Sequence, residues 1–121
     1  MDLTEAETYA ATWAADWNSH DPDRILAHYT EDVTWASPGI VRYTGDSTGE
    51  LHGKAALREY FATAMKQLPD LHFVVEHVRA SVNSIVIGYR NEQGREVSEV
   101  LTFKDGLITQ GFGAYGPAPQ P

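Results

Sequence analysis

Residues 71–115 read LHFVVEHVRASVNSIVIGYRNEQGREVSEVLTFKDGLITQGFGAY, and this stretch decides the fold. Apolar and polar side chains alternate along four runs, which is the period of β-strands. The four runs are Leu71–Ala80, Ile85–Arg90, Arg95–Phe103 and Leu107–Tyr115. Because only short connections separate the runs, we expect successive strands to be antiparallel neighbours.

Helix signals dominate the part of the chain that precedes these strands. Thr4 and Glu7 match a capping box, in which each side chain binds the other residue's backbone N–H, and predict the start of a first helix. Asp21-Pro22 predicts a second helix that runs to about Tyr29, because aspartate is a good N-cap and proline suits the first helical position. Small and indole side chains form one stripe of the first helix: Ala6, Ala10, Trp13, Ala14 and Trp17.

A third helix and two short strands complete the predicted elements. The third helix begins after Gly53 and stops before Pro69. Val33–Trp35 predicts a short strand that ends at a turn over residues 37–39, and Ile40–Tyr43 predicts another. Three helices followed by a meander of strands indicate an α+β domain, with the helices on one face of a curved antiparallel sheet.

The composition of the chain argues against several classes of function. The 121 residues are 42% hydrophobic and 11% aromatic, and they predict a single domain over residues 1–116 with a flexible tail over residues 117–121. A formal net charge of −8 opposes binding to nucleic acid or to anionic membranes, and the absence of cysteine excludes disulfides and thiolate catalysis. With no leader pattern and no apolar run long enough to span a bilayer, we expect a cytoplasmic protein.

Two glycine motifs match known catalytic patterns but lack the structural context those patterns need. Gly45–Gly49, GDSTG, fits the nucleophile elbow G-x-S-x-G, yet the chain is too short for a hydrolase sheet, so we interpret it as a loop or a lid. Gly111–Gly116, GFGAYG, fits the dinucleotide motif G-x-G-x-x-G, but too few residues follow to build the required helix. We interpret Gly111 and Gly113 as strand positions on one face that leave space beside the sheet.

The five histidines do not show the spacing of a metal site, and we expect neither a metal ion nor a cofactor. His72 and His77 are an odd number of residues apart, so only one of them faces the interior of a regular strand. Either one could be a base in a cavity or a hydrogen-bonded residue at an edge.

Glu99 is the strongest candidate for a catalytic residue. The other side chains on its face of the strand are apolar: Val97, Leu101 and Phe103. If the opposite face pointed inward, Val100 would be buried together with Ser98 and Thr102, so the more apolar series favours an inward Glu99. A carboxyl group among such neighbours is pushed towards its neutral form and can donate a hydrogen bond or transfer a proton.

The chain resembles the superfamily of nuclear-transport-factor-like proteins, ketosteroid isomerases and SnoaL-type polyketide cyclases. The resemblance rests on the order of elements and on four segments: Asp21–Tyr29, Thr30–Pro38, Leu51–Phe61 and Phe103–Ile108. It implies a cystatin-like cone with three helices, whose sheet wraps a long N-terminal helix, encloses an apolar pocket and often dimerises through its outer face. Function varies widely within the superfamily.

Only some of the site residues of the isomerases in that superfamily have an equivalent in this chain. Ser37 stands where they have a general-base aspartate, and Trp13 stands where they have an oxyanion-hole tyrosine. Glu99 aligns with their oxyanion-hole aspartate, and Tyr29, Phe61 and Tyr115 align with aromatic residues of the pocket. Steroid isomerisation by that mechanism is therefore not expected here.

Two functions stay open from the sequence. The first is a metal-free isomerase, cyclase or dehydratase that acts on a small hydrophobic molecule, with Glu99 or His72 as the acid or base. The second is a non-catalytic ligand-binding or dimerisation module, and in either case we expect a homodimer. The predicted ligand-binding residues are Trp13, Trp17, Tyr29, Trp35, Phe61, Leu101, Gly111, Gly113 and Tyr115.

Overall fold

The computed structural model describes residues 1–117 and Pro119. Ala118, Gln120 and Pro121, which belong to the predicted tail, lie outside the described residues. The helices are α1 (Leu3–Asn18), α2 (Pro22–Leu26), α3 (Pro38–Thr44) and α4 (Lys54–Gln67). The strands are β1 (Tyr29–Ala36), β2 (Glu50–His52), β3 (Val74–Ala80), β4 (Ser84–Arg90), β5 (Glu96–Lys104) and β6 (Leu107–Tyr115).

All six strands form one sheet in the order β2-β1-β6-β5-β4-β3. The meander from β3 to β6 is antiparallel throughout, as its short connections predict. The sheet is not wholly antiparallel, however, because β1 pairs with β6 in parallel. Strands β1 and β6 are far apart in the sequence and no hairpin joins them. The short-connection argument, which predicts antiparallel pairs, therefore does not apply to this pair. The predicted α+β class with a curved sheet is confirmed.

The prediction of three helices was wrong, because residues 38–44 form a fourth helix rather than the strand expected at Ile40–Tyr43. Ser37 caps this helix, and its side-chain oxygen accepts a hydrogen bond of 3.1 Å from the backbone N–H of Gly39. Pro38 occupies the first turn, and Gly45 ends the helix in the left-handed conformation with φ of 78°. The β-branched pair Ile40-Val41 suggested a strand, but these end signals outweigh that preference.

Several element ends also differ from prediction. Helix α1 is capped by Asp2, whose carboxylate accepts a 2.8 Å hydrogen bond from the N–H of Glu5, and not by Thr4. Asp21 caps α2 as predicted, but the helix ends at Leu26, so β1 starts at Tyr29 and is longer than the predicted Val33–Trp35. Strand β3 begins at Val74, three residues after the predicted start.

The helices cover the inner face of the sheet and bury one core. Helix α1 packs against β3 and α2, whereas α4 packs against β1, β2, α2 and α3. The largest fully buried side chains are Phe61, Leu26, Ile40, Leu57, Ile85, Ile87, Leu101, Ile108 and Val33. Within the described residues, no helix is both long and apolar enough to cross a membrane.

Candidate functional site

Glu99 lies in the middle of β5 and points into the protein, as the apolar pattern of its strand predicts. It is paired in register with Ile87 on β4 and with Gly113 on β6. Only 5% of its surface is exposed. Its neighbours on the same strand face, Val97 and Leu101, are also buried. A carboxyl group is therefore held in the apolar interior of the sheet.

The lack of a side chain at Gly113 makes room for the carboxyl group of Glu99. A Cβ atom at Gly113 would lie 3.1 Å from Oε1 of Glu99 and 3.5 Å from Oγ of Ser37. Any larger residue would push on the carboxyl group, so the absence of a side chain leaves the space that Glu99 occupies. Gly113 thus shapes the site without lining its cavity.

Burial controls the protonation of Glu99. Within residues 1–117 and 119, the carboxyl group makes no hydrogen bond and no ion pair, and burial raises its pKa from 4.5 to about 8. The removal of the carboxylate from water disfavours the charged form, and no cation of the described residues pairs with it to offset that cost. At neutral pH the protonated group prevails, and it can donate a hydrogen bond to an oxygen atom of a ligand.

Four tyrosines lie close enough to Glu99 for its charge to affect their pKa values: Tyr29, Tyr60, Tyr89 and Tyr115. Burial raises the pKa of each of them, and the nearby charge of Glu99 adds to the increase. The phenols are therefore neutral at physiological pH. The site offers hydroxyl groups but no phenolate base.

Three hydroxyl groups meet around Gly39 at the start of α3. A Cβ atom there would lie 2.5 Å from the hydroxyl of Tyr60, 3.3 Å from that of Tyr115 and 3.4 Å from Oγ of Ser37. Ser37 Oγ would also lie 3.5 Å from a Cβ atom at Gly113, so Ser37 lies near both the tyrosine hydroxyls and Glu99. The helix cap and the polar part of the site thus share one residue.

A cavity of about 70 Å³ opens next to Glu99. At roughly 10–15 Å³ for each water position, it has room for about five water molecules, which suits a small ligand. Aromatic rings form its inner wall: Trp17, Trp35, Tyr60, Phe61, Phe73, Tyr89 and Tyr115. Its mouth lies between α3 and the β4–β5 turn, and is lined by Arg42, Tyr43, Asn91, Glu92, Gln93 and Arg95.

The sequence of this chain matches a known domain family over most of its length. Residues 10–111 match the sequence model of the SnoaL-like domain. The chain belongs to the SnoaL-like family. The resemblance predicted from the sequence is therefore confirmed.

Solved structures agree with this assignment. A SnoaL-like protein of unknown function from Burkholderia thailandensis is 34% identical, with 96% of this chain and 98% of that chain covered and a TM-score of 0.90. A SnoaL-like candidate isomerase from Agrobacterium tumefaciens is 18% identical, with 95% and 100% covered and a TM-score of 0.75. A protein with a cystatin-like fold from Methylobium petroleophilum is 18% identical, with 100% and 81% covered and a TM-score of 0.73. No curated protein matches the chain.

The cavity of this SnoaL-like domain brings together some of the predicted ligand-binding residues. Trp17, Trp35, Phe61 and Tyr115 line it together with Glu99. Five predicted ligand-binding residues, Trp13, Tyr29, Leu101, Gly111 and Gly113, are absent from its lining.

The residues outside the lining have other places in the core. Trp13 and Tyr29 border a separate void of about 10 Å³, and Leu101 is fully buried. A Cβ atom at Gly111 would clash with the indole ring of Trp35, so this ring fills the space that we expected Gly111 to open. Space beside a glycine is free only when no neighbouring side chain packs into it.

The histidines lie away from the cavity. His72 is exposed, although its neighbours Leu71 and Phe73 both line the cavity. His77 is exposed too, and its ring lies against Gly88. Among the described residues, the cavity lining contains no histidine, and no group of three or more acidic or histidine side chains could hold a metal ion. Glu99 is therefore the proton donor that this cavity offers at neutral pH.

Sequence reasoning missed part of the lining. Tyr89 follows Ile85 and Ile87 on the same face of β4, so its inward position could have been read from the alternation. Tyr60, which precedes the predicted ligand-binding residue Phe61 on α4, also lines the cavity. Arg42 and Arg95 come together only through the fold, and nothing local in the sequence signals their proximity to one cavity.

Proposed function

We propose that this SnoaL-like domain binds a small hydrophobic molecule in the aromatic cavity and catalyses an acid–base reaction on it through Glu99. The observation that carries this proposal is the buried carboxyl group of Glu99, which faces a cavity without a hydrogen-bond or ion-pair partner among the described residues. Its raised pKa of about 8 suits proton transfer near neutral pH. Perturbed carboxyl groups in clefts are typical of functional sites.

The wall of the cavity suits a flat apolar ligand. Trp17 and Phe61 meet with ring centroids 4.7 Å apart, and Phe73 and Tyr89 meet at 4.4 Å. The indole N–H groups of Trp17 and Trp35 are buried without a hydrogen-bond partner among the described residues. Buried donors normally have a partner, so two unpaired indole N–H groups are an unusual feature of this aromatic wall.

The simplest reaction that one carboxyl group can complete is exchange between a ketone and its enol. The protonated Glu99 gives its proton to the carbonyl oxygen, and the resulting carboxylate removes a proton from the neighbouring carbon atom. The number of protons on Glu99 is the same before and after the cycle. Next to a carbonyl group, double-bond isomerisation, aldol cyclisation and dehydration can each proceed through an enol, and this step needs neither a metal ion nor a cofactor.

Hydrogen exchange in D₂O tests this step without knowledge of the natural substrate. A panel of small aryl and cycloalkyl ketones is incubated with the protein, and loss of the proton signals next to the carbonyl is followed by NMR. We expect exchange above the buffer rate for at least one ketone, and a drop of at least about 100-fold in Glu99→Gln, which is typical of loss of an acid–base group. Glu7→Gln is the matched control, because Glu7 is exposed on α1 and lies outside the cavity lining, and it should retain exchange.

A titration of the ¹³C-labelled Glu99 carboxyl group separates this function from its alternative. A midpoint near 8 that moves when a ketone binds supports a functional pocket, whereas a midpoint near 4.5 that no ligand moves removes Glu99 as the catalytic group. A moved midpoint without hydrogen exchange would favour the non-catalytic module.

The close packing of the rings is the observation that favours this second candidate. Trp13 contacts Tyr89 with centroids 5.0 Å apart and Trp35 contacts Phe61 at 6.3 Å, so side chains fill most of the cone. A non-catalytic module would use the remaining cavity only to hold a ligand.

A further inference from the structure

Two arginines stand at the mouth of the cavity. Arg42 belongs to α3, and Arg95 lies in the connection between β4 and β5. Although far apart in sequence, both line the same cavity that holds Glu99. The fold therefore brings two positive charges to the opening of an apolar pocket in a chain whose net charge is −8.

Among the described residues, neither guanidinium group is paired with a carboxylate. Arg24, Arg58 and Arg90 each form an ion pair with a carboxylate, but among the described residues Arg42 and Arg95 do not. Glu92 also lines the mouth and contributes one negative charge. With Glu99 protonated, the two cations and one anion among the described lining residues leave a net charge of +1 around the opening.

Aromatic rings of the lining support both guanidinium groups. The guanidinium carbon of Arg42 lies 5.6 Å from the ring centroid of Tyr43, and that of Arg95 lies 5.0 Å from the ring centroid of Tyr115. Nε of Arg95 donates a 3.0 Å hydrogen bond to the carbonyl oxygen of Gly116. The terminal nitrogens of Arg95 make no hydrogen bond within the described residues, so they are free to bind a ligand at little further cost in side-chain entropy.

We infer that the ligand of this cavity is a small amphipathic acid, with its apolar body among the aromatic rings and a single carboxylate between Arg42 and Arg95. A planar carboxylate matches the fork of a guanidinium group, which binds it through two parallel hydrogen bonds. The net charge of +1 at the mouth matches a monoanion better than a dianion such as a phosphate monoester. This inference rests on the proposed function, because it names the class of molecule that enters the same cavity.

Pairs of probes that differ only in charge test this inference. Benzoate, 4-acetylbenzoate and 2-naphthoate are each compared with the carboxamide of the same shape, and dissociation constants are measured from tryptophan fluorescence. We expect at least one carboxylate to bind about tenfold more tightly than its amide, as expected for hydrogen bonds to charged groups. We also expect the difference to shrink in 0.5 M salt, because the mouth is open to solvent.

Variants of the two arginines test whether the difference in affinity between carboxylate and amide arises at the mouth of the cavity. Arg42→Gln and Arg95→Gln should each reduce the preference for the carboxylate severalfold, and the double variant should abolish it, while amide binding stays within about twofold of the unsubstituted protein. Arg79→Gln is the matched control, because Arg79 is exposed on β3 and lies outside the cavity lining, and it should leave the preference unchanged. The unchanged amide affinity also shows that the variants are folded.

Each result separates this inference from the proposed function. Equal affinity for acid and amide, a preference that survives in the double variant, or no binding of any carboxylate would overturn the amphipathic acid as ligand. If neutral ketones then still exchange hydrogen in a Glu99-dependent manner, the proposed function stands. If the protein prefers carboxylates but no ketone exchanges hydrogen, the inferred anion site is supported and the proposed catalytic role of Glu99 is contradicted.

Discussion

Glu99 on β5 lies directly opposite Gly113 on β6, and its carboxyl group occupies the space that a side chain at position 113 would take. The size of the residue at position 113 therefore limits the space available to the side chain of Glu99. The carboxyl group is buried beside this glycine, and its burial raises its pKa.

Substitution of Gly113 by alanine should therefore act through Glu99. The added methyl group would lie 3.1 Å from Oε1, and such overpacking typically costs about 1–3 kcal/mol in free energy of unfolding. In the Glu99→Ala background the same substitution should cost under about 0.5 kcal/mol, because the opposing carboxyl group is gone. Urea unfolding of the four proteins measures this coupling. Equal costs in both backgrounds would show that Gly113 and Glu99 are independent.

The raised pKa of Glu99 should make the free energy of unfolding depend on pH. Its pKa is about 8 in the folded protein and near 4.5 in the unfolded chain. Between these values the folded protein keeps a proton that the unfolded chain has released, so the free energy of unfolding falls as pH rises, by up to about 1.4 kcal/mol per pH unit. The effect is absent below pH 4.5 and complete above pH 8.

Glu99→Gln isolates this pH dependence, since every other titrating group is retained. Urea unfolding is measured at pH 5.5, 6.5 and 7.5 for both proteins. The stability of the unsubstituted protein should fall relative to that of the variant with each step. Parallel curves would mean that Glu99 has an ordinary pKa in the folded protein.

The inward direction of Glu99 was accessible from sequence, whereas its surroundings were not. Alternation along β5 is a local property, so Val97 and Leu101 fix which face is buried. What fills the space beside a glycine is decided by distant residues. Trp35 from β1 packs against Gly111, and Glu99 packs beside Gly113, although both glycines looked alike in the sequence.

Local signals also competed in the short segment before β2. The β-branched residues Ile40 and Val41 favour a strand, but the cap at Ser37 and the left-handed Gly45 favour a helix. The helix brings Arg42 to the cavity mouth and Ser37 towards Glu99. An error in one short element therefore concealed part of the site, even though the overall fold was predicted correctly.

The outer face of the sheet remains the proposed surface for a homodimer. Phe112 on β6 is 43% exposed and is paired in register with Val100 on β5, so the two form an apolar patch in the centre of that face. We expect Phe112→Glu to weaken self-association at least tenfold in sedimentation velocity. Val82→Glu, at a position in the β3–β4 turn that is 90% exposed, should have no effect. A protein that is monomeric at 200 μM would contradict this prediction.

The last prediction concerns a polar cluster that joins α1 to α2 and to the connection between α2 and β1. The carboxylate of Asp16, only 6% exposed, accepts hydrogen bonds from Arg24 at 3.0 Å and from Nε2 of His28 at 2.8 Å. Asp16→Asn removes the charge that both partners bind, and it should lower the free energy of unfolding by about 2–3 kcal/mol. Asp23→Asn is the matched control, because the Asp23–Arg58 pair lies on the surface and should contribute under about 1 kcal/mol. Equal losses in urea unfolding would show that the Asp16 cluster acts as another surface pair and does not hold the helices together.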